Sequence, residues 1–199
     1  NLRQTKGRGE DENPPSLLYY TKSGGFLNKI TFTIILLVFA GYVIFQGIKR
    51  FQLGSMNTAL QKKDSDMLER LADMGISRKL LGNYVCDLYK LRGYYVAKET
   101  DKFEKTLLYM IDTQYKGSAD KKSFLENYFH TFLLKENRKY ADWLLEAIRK
   151  TDDETFIHYN ELSYGVMLDE RSDLIDVMEE DINSKKYYGF ALGAILVMI

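Results

Sequence analysis

Residues 125–148 read LENYFHTFLLKENRKYADWLLEAI, and their pattern decides the fold. Leu125, Tyr128 and Phe132 fall at i, i+3 and i+7, on one face of a helix. Tyr140, Leu144, Ala147 and Ile148 form a second such stripe. The polar segment LKENRKY (134–140) separates them, so the stretch predicts a helix, a tight turn and a helix. Neither helix can bury its stripe alone.

The same unit recurs on both sides. QKKDSDM (61–67), AKETDKF (97–103) and LDERSDL (168–174) match the turn. Their closing residues Met67, Phe103, Tyr140 and Leu174 are 36, 37 and 34 residues apart. Before the turns, Leu88/Leu91/Tyr95 and Tyr159/Leu162/Val166 repeat the first stripe. After them, Phe103/Leu107/Met110/Ile111 and Leu174/Met178/Ile182 repeat the second. A period in this range predicts an all-α solenoid of antiparallel helix pairs, in which stacked units share one core; the alternative is an irregular helical bundle. The predicted helices cover about 65–75, 77–97, 101–116, 120–135, 138–150, 154–168 and 171–183, with another from about 187. Gly75, Gly117 and Thr151-Asp152-Asp153 punctuate the junctions, with Ser77 and either Asp152 or Asp153 as expected N-caps.

Upstream, Ile30 to Ile48 is a run of nineteen residues without a charge, bounded by Lys29 and by Lys49-Arg50. As a helix it is roughly 29 Å long, against ~30 Å for a bilayer core. It predicts a single-pass membrane helix over 26–50, in contact with lipid. It is too long for a signal peptide and lies too far behind polar chain. Lys49, Arg50, Lys62 and Lys63 on one side, against Lys22 and Lys29 on the other, favour a cytoplasmic C-terminal domain.

Residues 1–25 read as a polar tail, in which Leu17-Leu18-Tyr19-Tyr20 would suit a membrane interface. Residues 51–60 read as a linker or hinge at Gly54-Ser55, and 61–199 as the repeat domain. Counting back one period from Leu88/Leu91/Tyr95 gives Gln52, Ser55 and Ala59, so the first repeat lacks an ordinary apolar partner; either the membrane helix or a short segment after it takes that place, or Gly54-Ser55 breaks the helix as a hinge, the favoured reading. The run YYGFALGAILVMI (187–199) is either a further repeat helix, with Leu196 in register with Leu162, or half of a second span. The start at Asn1 and the apolar end at Ile199 suggest a piece of a longer protein.

The period, the helix pairing and the aromatic opening of the second helix (Phe103, Tyr140) resemble tetratricopeptide repeats. Gly165, nine residues before Leu174, stands where that family has a small residue, and Tyr94 and Thr131 stand at the matching positions of other units. Thr106, Trp143 and Val177 replace the family's alanine. The resemblance covers about 61–199. It implies a superhelical scaffold that binds peptides or proteins on a concave face lined by the first helix of each pair. It implies no activity.

Basic and acidic residues balance at 28 each, and no basic stripe stands out, which argues against nucleic-acid binding. No phosphate-binding glycine loop, zinc-protease motif or cysteine cluster occurs. Glu126/His130 and His158/Glu161 each lie one turn apart on neighbouring helices, a conceivable but weak metal set. Cys86, among Tyr84, Val85 and Leu88, reads as a buried thiol, and Trp143 as a packing residue. No catalytic residue or cofactor is expected. Lys90, Asn127 and Glu161 recur in one column of the first helices and, with Tyr94 and Thr131, are the expected partner-binding residues. The expected function is that of a membrane-anchored, non-enzymatic interaction scaffold. The alternative is a sensory subunit that signals through its anchor. Neither partner identity nor oligomeric state is legible.

Overall fold

The computed structural model describes residues 24–115 and 118–199. It divides into two units, Asn1–Phe51 and Gln52–Ile199. Ten helices and no strand are found among the described residues: α1 (Gly24–Gln61), α2 (Ser65–Asp73), α3 (Gly75–Leu81), α4 (Asn83–Ala97), α5 (Thr100–Asp112), α6 (Ser118–Leu133), α7 (Arg138–Arg149), α8 (Glu154–Leu168), α9 (Asp173–Asn183) and α10 (Gly189–Met198).

In the first unit, α1 is long and apolar enough to cross a membrane. Every residue from Ile30 to Phe45 is exposed, so none of this apolar surface serves a protein core. The expected tail lies outside the described residues, Leu17 to Tyr20 included, except that Gly24 and Gly25 already open α1. Gly117, an expected junction residue, also lies outside them.

The expected linker over 51–60 is instead helical. The backbone of α1 continues through Gly54 and Ser55 to Gln61. Its residues from Gln52 onward belong to the second unit, where Met56 and Ala59 are fully buried with Leu68, Ala72 and Cys86. Gln52 is also buried, and its Oε1 accepts a hydrogen bond from the Ser77 hydroxyl at 3.3 Å. The Tyr89 hydroxyl donates to Asn57 Oδ1 at 2.8 Å. The segment after Phe51 therefore packs into the second unit through Met56, Ala59 and the hydrogen-bonded Gln52 rather than through an apolar stripe. A buried amide is tolerated where its hydrogen bond is made.

The remaining helices lie within a few residues of their expected bounds, with one break. The helix expected over 77–97 is broken at Gly82, whose φ is +84°, giving α3 and α4. Ser77 falls inside α3, where its hydroxyl serves Gln52 rather than a helix end. Asp64, Asn137 and Asp153 do cap, accepting from the backbone N–H groups of Met67, Tyr140 and Phe156. Each N-cap satisfies a donor that the helix itself cannot.

Four of the turns share one construction. Lys63, Lys98, Glu136 and Lys185 all sit at positive φ between 53° and 61°. In each, the N–H of the left-handed residue reaches back three residues and the next N–H reaches back five. This is the paired bond pattern that closes a helix C-terminus. At 168–174 the chain closes differently, with the Arg171 N–H bonded to the Gly165 carbonyl.

Helices adjacent in sequence pack together: α2 with α3, α3 with α4, α4 with α5, α6 with α7, α7 with α8, α8 with α9, and α9 with α10. Alternate helices also meet, α2 with α4, α5 with α7, α6 with α8, and α8 with α10. Two close approaches set the spacing. A Cβ built on Gly93 would lie 2.4 Å from Leu68 Cδ2, and one on Gly165 2.5 Å from Leu174 Cδ1. The main core mixes aliphatic and aromatic side chains, with Phe132 in ring contact with Tyr95, Phe103, Tyr128 and Tyr140.

The C-terminal apolar run forms α10 from Gly189, ten residues long and packed on α8 and α9. Ile195 faces inward and Leu196 outward, one position away from the expected register.

Candidate functional site

A groove of about 450 Å³ lies between α4 and α6. Tyr84, Leu88, Arg92 and Tyr95 of α4 recur at i, i+4, i+8 and i+11 along one wall. Ser123, Phe124, Asn127, Tyr128, Thr131 and Phe132 of α6 form the other. Half of the lining is therefore aromatic, with the tyrosines nearer the surface than the buried Phe124 and Phe132, and amide and hydroxyl groups lie on α6. Aromatic surface carrying a polar tip suits partner contact, because one ring offers both apolar area and a hydrogen-bond handle.

Arg92 supplies the only charge among the described lining residues. Its guanidinium lies beside the Tyr128 hydroxyl, where it opposes the upward push that burial gives that phenol's pKa. Arg92, like Arg50 and Arg70, forms no ion pair with a carboxylate among the described residues, whereas Arg138, Arg149 and Arg171 each have one and Arg78 has two. Tyr84 packs edge-on against Tyr115 at 5.3 Å, and Tyr128 lies 5.0 Å from Phe124. At the far end, Lys135 Nζ donates to the Tyr95 hydroxyl at 2.6 Å.

Two of the five expected partner-binding residues lie here. Asn127 and Thr131 are exposed, and each donates a side-chain bond to the carbonyl four residues back in its own helix. The other three lie elsewhere. Lys90 Nζ sits 3.0 Å from Asp73 Oδ2, in a network where Arg78 bridges Asp73 and Asp87. Tyr94 is buried, with its phenol pKa pushed up by burial and by Glu69. Glu161 pairs with Arg149 at 2.7 Å. The column Lys90–Asn127–Glu161 is thus engaged unevenly, with ion pairs at its two ends and none at Asn127. Charge pairing within the fold draws its two ends to different neighbours.

No protein-family model, curated protein or solved structure matches this chain. The groove's own residues are therefore the guide to its chemistry.

The wall residues on α4 carry a readable signal. Leu88 and Tyr95 belong to the stripe assigned to the core, yet only Leu91 of that trio is fully buried and Tyr95 is exposed. Arg92 has no feature in the sequence to single it out.

A larger concavity of about 1160 Å³ lies at the ends of α5 to α8, with Trp143, Leu108 and Ile111 in its lining. It is a poorer candidate. It adjoins the α5–α6 connection, part of which lies outside the described residues, and its rim charges are partly self-paired, Lys122 with Asp153 and Lys150 with Glu146. Lys121 donates to the carbonyls of Met110, Ile111 and Thr113, closing the end of α5.

Among the described residues, no three His, Cys, Asp or Glu side chains are arranged to hold a metal. The four residues of the conceivable metal set are engaged or separated. Glu126 accepts from the Tyr159 hydroxyl, His158 meets Asp181 at 2.9 Å, Glu161 pairs with Arg149, and His130 is buried. Cys86 is fully buried, and burial raises its thiol pKa, which disfavours the thiolate.

Proposed function

We propose that the chain is a membrane-anchored, non-catalytic binding protein whose groove between α4 and α6 takes an extended peptide segment of a protein partner. The helix pairs, their common turn and their neighbour-to-neighbour packing support a tetratricopeptide-like solenoid, in which this groove is the face lined by first helices. The observation that carries the reading is an aromatic, hydroxyl- and amide-bearing groove whose one guanidinium has no carboxylate partner among the described residues. Such a surface suits apolar or aromatic side chains flanking a carboxylate, which Arg92 would bind through charge-assisted hydrogen bonds. The basic residues Lys49, Arg50, Lys62 and Lys63 favour the cytoplasmic side of the anchor for this domain.

The test uses the full chain in lipid nanodiscs and a displayed library of random peptides. Peptides retained by the wild type are expected to lose binding to Thr131→Trp, which fills the groove. They should bind Arg92→Gln roughly ten-fold more weakly, the effect of losing about 1.4 kcal/mol from a charged hydrogen bond. Equal binding to Thr131→Trp would exclude the groove as the peptide site.

One observation favours the sensory alternative. The helical backbone of α1 runs through Gly54 and Ser55, where a tether alone needs no helix. In that reading, occupancy of the groove is passed along the anchor.

A further inference from the structure

His130 is a buried imidazole that the binding groove does not use. It sits where α6, α8 and α10 meet. Its ring stacks on Tyr159 of α8, with centroids 5.9 Å apart and planes 11° apart. The edge of Phe190, in the first turn of α10, meets it at 5.2 Å. Phe129 packs against it from its own helix. The Asn160 carboxamide is a neighbour, yet no hydrogen bond of ordinary geometry joins them. His130 Nε2 and Asn160 Oδ1 are both buried without a partner among the described residues.

We propose that neutral His130 is a latch holding α10 on α8, and that its protonation releases α10 while α6 and α8 stay folded. An imidazolium in this cage has three aromatic neighbours, and no carboxylate is ion-paired with it among the described residues. Glu126, one turn back on α6, is held by the Tyr159 hydroxyl. Asp181 is held by the Tyr187 hydroxyl at 2.6 Å, by Lys186 at 3.0 Å and by His158 at 2.9 Å. The charge must reach water, and α10 is the least anchored of the three walls. Phe190, Leu196 and Val197 on it are exposed, and Ile195 is its one fully buried side chain. Helices α6 and α8 each carry several buried core residues.

Burial accordingly lowers the His130 pKa, to about 4, with Asn160 opposing. The direction of the pH effect follows. The open form binds a proton near the ordinary value of ~6.5, so closure is complete above that pH and weakens as pH falls toward 4. From these two values the opening equilibrium of α10 should rise about 30-fold between roughly pH 7.5 and pH 5.

Hydrogen exchange of the full chain in nanodiscs, corrected for intrinsic rates, reads this directly. The expected result is an acid-induced loss of protection, about 30-fold in α10 and small in α6. His130→Phe, which keeps a ring and cannot titrate, should abolish it. His130→Gln serves as a second non-titrating variant if His130→Phe misfolds. Asp181→Asn should retain the response. The latch is overturned if the response survives in both His130 variants, if Asp181→Asn alone removes it, or if α6 and α8 open together with α10.

Discussion

Phe132→Ala should destabilise the second unit by about 3–5 kcal/mol, the cost of emptying a large buried aromatic site. Phe132 is almost completely buried, and its ring meets Tyr140 at 5.0 Å, Phe103 at 6.0 Å, Tyr95 at 6.1 Å and Tyr128 at 6.2 Å. These partners come from α4, α5, α6 and α7, so one residue joins four helices. Edge-on aromatic pairs add roughly 0.5–1.5 kcal/mol each beyond the area they bury. Domain stabilities are typically ~5–15 kcal/mol, so this loss would take a large share of the total. Phe132→Leu fills most of the volume and should cost clearly less. Urea unfolding of the full chain in detergent measures both, followed by the fluorescence of Trp143, whose ring packs against Tyr140 in the same cluster. A loss below ~1 kcal/mol for Phe132→Ala would mean that the four helices are not joined at this ring.

The second large effect concerns the anchor. Leu37→Arg with Val38→Arg should move the chain from the membrane to the soluble fraction. Twelve of the nineteen residues from Ile30 to Ile48 are Ile, Leu, Phe or Val. At about 0.3–0.6 kcal/mol each they favour insertion by roughly 4–7 kcal/mol. Two arginines near the centre cost about 5–7 kcal/mol and remove two of the favourable residues. The balance therefore reverses. Alkaline carbonate extraction is the measurement, with the wild type expected in the pellet and the variant in the supernatant. Equal retention of both would contradict a membrane-spanning helix.

Most of the helices are legible because turn chemistry and apolar spacing agree at their ends. Asp153 illustrates this: an acidic residue before an apolar run is an N-cap signal, and its carboxylate accepts the Phe156 N–H. The segment 52–61 is not legible, because its burial rests on Met56, the small Ala59 and a hydrogen-bonded Gln52 rather than on an apolar stripe. The break at Gly82 escapes a reading by periodicity, which continues across it while the helical backbone does not.

The proposed groove holds two of the five residues expected to bind a partner. Asn127 and Thr131 follow from helix spacing on α6, whereas the position of Lys90 depends on Asp73, which lies on a different helix. Partners of this kind, distant in sequence, leave no mark in local pattern. The same holds for His130, whose surroundings come from α8 and α10.

The central claim, that the α4–α6 groove holds a peptide segment, is tested most directly by photocrosslinking in membranes. A benzoylphenylalanine is placed at Thr131 in one sample and at the exposed Lys105 of α5 in another. The expected result is a discrete protein adduct from position 131, absent from position 105 and suppressed by an excess of a peptide selected on the wild-type chain. The same adduct from both positions, or an adduct from 131 that the peptide fails to suppress, would contradict it.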